Sequence, residues 1–138
     1  MNEEPAEYVL DSFALLAFLE AERGRERVAA LLKQALTRER SVWMSIINLG
    51  EVLYIIEREQ GLLASRKALA AIEQLPLALI DVDRSLTLAA AHIKAQFPLA
   101  YADTFAVALG RQENARVVTG DPEFEAVESL VAIEWLPR

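Results

Sequence analysis

Short apolar runs of strand length alternate along the chain with longer segments of helical periodicity, and this alternation constrains the fold more than any other feature. The strand-like runs are Glu7–Leu10, Ser41–Met44, Leu77–Val82, Ala115–Thr119 and Ala132–Leu136. Between them Ser12–Glu20 carries helix formers with no breaker before Gly24. Arg25–Arg38 then repeats Val28, Leu31, Leu32, Ala35 and Leu36 at helical spacing, with Glu26, Lys33, Gln34 and Thr37 on the other side. Ser45 is placed to cap a long helix through Glu59, which Gly61 ends. Further helices are expected over Leu63–Gln74, stopped by Leu75-Pro76, over Ser85–Gln96, closed by Pro98, and over Tyr101–Glu113; Gly120-Asp121-Pro122 reads as a turn. Strands that alternate with helices pair in parallel, because each crossover needs a helix and the crossovers cover both sheet faces. The expected class is α/β, three layers deep, with a central, mainly parallel sheet of four to five short strands.

With 138 residues, no internal repeat and no low-complexity or linker-like stretch, residues 1–138 read as one domain large enough to bury a core. The chain is 54% hydrophobic, yet no apolar run reaches the length of a membrane span, and Met1-Asn2-Glu3-Glu4-Pro5 lacks the basic region of a signal peptide. A cytoplasmic protein without a membrane partner is expected. The absence of cysteine excludes disulfides, thiolate metal sites and a cysteine nucleophile, and the single His92 excludes a multi-histidine site. Any metal here takes oxygen ligands. A net charge of −7 opposes broad attraction to nucleic acid. A local patch remains available in Arg23, Arg25, Arg27, Lys33, Arg38 and Arg40, with Arg111 and Arg116 later, although a solvated face is the commoner role of such residues.

Most of the 21 acids lie in polar surroundings, but Asp11, Glu51, Asp103 and Asp121 stand among apolar neighbours. Asp11 and Asp121 follow predicted strands, and ligands of open parallel sheets bind at the carboxyl ends of strands. Glu51 is the only charge in Ile46–Ile56, a helix whose apolar residues run nearly all the way round and so predict burial. Each acid also has a plainer explanation. Asp11, Asp103 and Asp121 can cap helices, and Glu51 can pair with an arginine. His92 reads as a packing or surface residue, Trp43 and Trp135 as core or interface, and Tyr54, Phe105 and Phe124 as packing rather than base-stacking residues. If the four carboxylates converge, their repulsion calls for a counter-charge, and a hard divalent cation such as Mg²⁺ or Mn²⁺ fits oxygen ligands that leave positions open for water and phosphate.

Four segments together resemble the PIN-domain ribonucleases, most closely the toxin branch of VapC type. They are Tyr8-Val9-Leu10-Asp11-Ser12, Asn48-Leu49-Gly50-Glu51-Val52, Ala102-Asp103-Thr104-Phe105-Ala106-Val107-Ala108 and Val118-Thr119-Gly120-Asp121-Pro122-Glu123-Phe124. The resemblance covers nearly the whole chain. It implies a PIN-like fold, Mg²⁺- or Mn²⁺-dependent endonucleolytic hydrolysis of RNA, a homodimer and a small antitoxin partner. Carried over by position, Asp11, Glu51, Asp103 and Asp121 are the implied metal ligands and catalytic acids, with Ser12 and Thr119 as polar support. Where such toxins commonly have a second Asp, this chain has Glu123, whose longer side chain leaves it outside the expected set. A PIN-like module that acts only by binding protein or RNA is the alternative. An Asp-nucleophile phosphatase is disfavoured because Phe13 stands where a second acid is needed, and a receiver domain because Leu10 precedes Asp11.

Overall fold

The computed structural model describes residues 7–137. Five parallel strands, β1 (Glu7–Leu10), β2 (Ser41–Ser45), β3 (Ala78–Ile80), β4 (Arg116–Thr119) and β5 (Ile133–Trp135), form one sheet in the order β3-β2-β1-β4-β5. Six α-helices cover it: α1 (Ser12–Leu19), α2 (Arg25–Leu36), α3 (Ile46–Gln60), α4 (Leu62–Glu73), α5 (Arg84–Gln96) and α6 (Tyr101–Glu113). A 3₁₀ helix, Pro122–Val127, joins β4 to β5.

Strand periodicity divides the interior into two layers. Tyr8 and Leu10 of β1 join Val42 and Met44 of β2 in a core shared with α1, α2, α3 and α4. Val9 points the other way and packs with Val117 against α5 and α6. Both faces are covered, as an all-parallel sheet requires. Trp43 and Trp135 are half-buried against the second core, Phe105 and Phe124 are buried in it, and His92 is exposed on α5.

The strand order places β1 beside β4. From β1 the chain moves outward through β2 to β3, then returns to β4 and leaves in the opposite direction to β5. The loops after β1 and β4 therefore diverge, opening a crevice at the carboxyl edge between them, the usual ligand position in such sheets. Asp11 and Asp121 are the residues at that edge.

Several expectations need correction. The helix expected to reach Arg38 stops at Leu36, because Thr37 caps it and Arg38 takes a left-handed conformation at φ +64°. The turn at Gly120-Asp121-Pro122 runs on as the 3₁₀ helix: Pro122 supplies a preset φ, and the Asp121 carboxylate accepts the Glu123 N–H at 2.9 Å. Helix α3 is not buried all round. It buries Asn48, Leu49, Val52 and Ile56, while Ile46, Ile47 and Tyr54 are exposed. Tyr54 is thus no packing residue, and the Arg58 guanidinium lies over its ring at 5.2 Å. Among the described residues, no helix is long and apolar enough to cross a membrane.

Candidate functional site

Each expected acid arrives at the carboxyl edge by a different local route. Asp11 is fully buried at the end of β1, where it is also the N-cap of α1. Its Oδ1 accepts the Ala14 N–H at 2.8 Å, and its Oδ2 accepts the Thr119 hydroxyl. Thr119 Oγ1 in turn accepts the Asp121 N–H at 3.0 Å, so one hydroxyl ties the end of β1 to the end of β4. Capping and site membership are compatible here because the two carboxylate oxygens are used separately.

Glu51 projects from α3, and the partner it finds is the Ser12 hydroxyl rather than an arginine. Asp103 lies in the first turn of α6, buried to 6% exposure. It caps nothing: the N-cap of α6 is Ala100, which has no side-chain cap bond. The position still suits a carboxylate, because unpaired N–H groups at a helix start favour negative charge. Asp121 caps the 3₁₀ helix and is half-buried.

The tightest group is not the expected four. Carboxylate oxygens of Asp103, Asp121 and Glu123 lie within 4.8 Å of one another, so Glu123, left aside at the sequence level, belongs to the cluster. The signal was present in Asp121-Pro122-Glu123: a proline-started helical turn capped by Asp121 brings residue 123 round beside its own cap. Asp11 and Glu51 lie outside this trio but within electrostatic reach, Asp103 and Asp121 acting on Asp11, and Glu51 on Asp103.

The electrostatics record that crowding. Burial pushes the Asp11 carboxyl up to about 8; hydrogen bonds from Thr119 and Ala14 pull the other way, and the charges of Asp103 and Asp121 add to the rise. Burial also lifts Asp103 to about 7, helped by Glu51, Asp121 and Glu123. Without a counter-ion, the site therefore retains protons near neutrality, since bringing like charges together out of water disfavours ionisation. Three oxygen donors at this spacing, two further acids in range, and a crowding that only positive charge relieves all fit a hard divalent cation.

A cavity of about 580 Å³ between α5 and α6 is lined by Ser85, His92, Gln96 and Arg111 among others, and by none of the acids. The expected basic patch is partly committed elsewhere. Arg27 donates to Glu134 at 2.9 Å and covers the Tyr8 ring, and Arg25 lies over Phe18.

Sequence reasoning also passed over Asn48. Its amide is fully buried and donates to the Ala102 carbonyl at 3.0 Å, one residue before Asp103. Its position three residues before Glu51, on the same helical face, was the available signal.

A parallel α/β domain with carboxylates gathered at its switch point is the class that fold and site define. Residues 8–130 match the PIN domain, and the chain belongs to that family. Among solved structures it is similar to VapBC2 from Rickettsia felis bound to a promoter DNA fragment, at 17% identity and TM-score 0.73, covering 95% of this chain and 99% of that one. It is likewise similar to Mycobacterium tuberculosis VapC20, a sarcin-ricin loop cleaving toxin, at 19% identity and TM-score 0.72, covering 94% and 99%. DNA-bound VapBC from Salmonella typhimurium gives 22% identity and TM-score 0.70, covering 94% and 98%. At these identities the likeness is one of fold. No curated protein matches the sequence.

Proposed function

We propose that this protein is a metal-dependent endoribonuclease that hydrolyses RNA phosphodiester bonds, and that it is the toxin of a toxin-antitoxin pair. The observation that carries the reading is the cluster of Asp103, Asp121 and Glu123, with Asp11 and Glu51 in electrostatic reach, at the switch point of a parallel sheet. Asp11, Glu51, Asp103 and Asp121 are the acids assigned to metal binding and catalysis, and Glu123 joins them. Mg²⁺ or Mn²⁺ bound among them supplies Lewis acidity, activating water and offsetting the charge that develops on the phosphodiester.

The chain's own groups prepare that chemistry. Thr119 and Ala14 N–H orient the Asp11 carboxylate, and Ser12 orients Glu51. Burial and crowding favour the protonated forms of Asp11 and Asp103 near neutral pH, so binding of a divalent cation among them would be coupled to proton release. The partners that go with this reading are an RNA substrate, a small antitoxin and a second copy of the chain.

Single-turnover cleavage of a structured RNA with Mg²⁺ or Mn²⁺ tests the reading against Asp11→Asn and Asp103→Asn. Loss of at least about 100-fold in rate is expected for each, in line with removing a preorganised electrostatic group. Cleavage that survives both substitutions, or survives a chelator, overturns it.

A further inference from the structure

The buried amide of Asn48 does more than fill space between two helices. The Asn48 N–H donates to Ser45 Oγ at 3.2 Å, which leaves the Ser45 proton free to reach Asn48 Oδ1 at 2.6 Å. The Ala102 carbonyl can only accept, so the Nδ2 side of the amide must face it, at 3.0 Å. Ser12 Oγ also lies 3.2 Å from the Asn48 carbonyl, while contacting Glu51. One residue thereby fastens the end of β2, the start of α3, the start of α1 and the first turn of α6.

Its neighbours in sequence are the acids. Glu51 follows Asn48 by three residues and shares its face of α3, and Asp103 follows Ala102 directly on α6. The two carboxylates repel each other. That repulsion tends to part α3 from α6 at the point where both must face one ion. A neutral donor that crosses the gap opposes the separation without neutralising either acid, which a lysine or arginine in its place would do.

We propose that Asn48 is a positioning residue for the acidic site, its side-chain amide setting the spacing between Glu51 on α3 and Asp103 on α6. The inference rests on the proposed function, since it takes those acids to hold a divalent cation. Asn48 touches neither the ion nor RNA; it acts through the backbone of Ala102 and the face of α3.

The test is Mn²⁺ titration calorimetry on wild type, Asn48→Ala and Asn48→Leu, beside thermal melts of the metal-free proteins. Asn48→Leu keeps the branched shape and removes the side-chain hydrogen bonds. Ile72→Val, a buried core residue of α4, which carries none of the acids of the site, is the control for lost stability alone. Both Asn48 variants should bind Mn²⁺ roughly 10-fold or more weaker, as loss of an outer-shell support does, while Ile72→Val binds as wild type does. If the Asn48 variants do not fold, Ser45→Ala, which removes the hydroxyl that orients the amide, should also weaken Mn²⁺ binding. Folded variants that bind Mn²⁺ as tightly as wild type overturn the inference and leave the proposed function standing. A wild type that takes up no Mn²⁺ or Mg²⁺ overturns both.

Discussion

Asp11→Asn should make the metal-free protein more stable at pH 8, although it removes a residue of the proposed site. Burial moves the Asp11 carboxyl from 3.8 to about 8, so ionising it in the folded chain costs roughly 5 kcal/mol more than in the unfolded chain. The sign follows from proton counting. Between about pH 4 and pH 8 the folded protein holds a proton on Asp11 that the unfolded chain has released. The stability this proton represents is fully present below pH 4 and is lost progressively as pH rises to 8. An amide has no such proton to lose. Its Oδ1 can still accept the Ala14 N–H, but its Nδ2 replaces an oxygen that accepts from Thr119, and Thr119 must reverse its hydroxyl at a cost of about 1 kcal/mol. The net gain at pH 8 is roughly 4 kcal/mol, or about 14 °C in Tm for a chain of this size. Near pH 5 the gain nearly vanishes, because that pH lies only a little above the carboxyl's ordinary value of 3.8; taking up the proton on folding then costs only about 1–2 kcal/mol, which the Thr119 penalty largely offsets. Thermal melts in chelator from pH 5 to pH 8 should show the two curves diverging as pH rises, and added Mn²⁺ should raise wild type far more than the variant. Parallel curves, or a variant less stable than wild type at pH 8, would refute the assignment of Asp11 as a buried, charge-crowded carboxyl.

Thr119→Val removes a hydrogen bond that favours ionised Asp11, so the Asp11 carboxyl moves higher still and the acid limb of Mn²⁺ binding shifts to higher pH; an unchanged pH profile contradicts this. Gly120→Ala places a Cβ 2.3 Å from a ring carbon of Phe13, and this overpacking should cost about 1–3 kcal/mol in denaturant unfolding. An alanine variant as stable as wild type would mean that Phe13 moves aside freely. Arg27 already pairs with Glu134, and both Arg25 and Arg27 lie over aromatic rings. Arg25→Ala combined with Arg27→Ala should therefore lower stability while leaving the salt dependence of RNA affinity unchanged; a slope shallower by about 2 would restore these arginines as phosphate contacts.

Some features of the molecule are local enough to be read directly. Strand runs such as Val117-Val118-Thr119 and breakers such as Gly61 and Pro98 act over a few residues, and the elements formed within one or two positions of expectation. Helix α3 was misread for a related reason. Its composition shows many apolar residues, but which of them face a neighbour depends on how α1, α4 and α6 pack on it, and Ile46, Ile47 and Tyr54 were left outside. The plainer explanation of Asp11, a helix cap, describes one of its oxygens, which accepts the Ala14 N–H; that the other accepts from Thr119 on β4 could not be read from local sequence.

The sequence by itself determined the class of fold and the chemical character of the site: a parallel α/β chain, with isolated acids after strands and within apolar helices, and with neither cysteine nor a second histidine to offer a different metal chemistry. Only the tertiary structure decided which acids stand together. It gathered Asp103 with Asp121 and Glu123, set Asp11 and Glu51 at electrostatic range, and joined the Asn48 amide on α3 to the Ala102 carbonyl on α6. The physical reason is one of range. Propensity and periodicity act over a few residues, whereas Asp11 and Thr119, 108 positions apart, meet only because β1 and β4 are neighbours in the sheet.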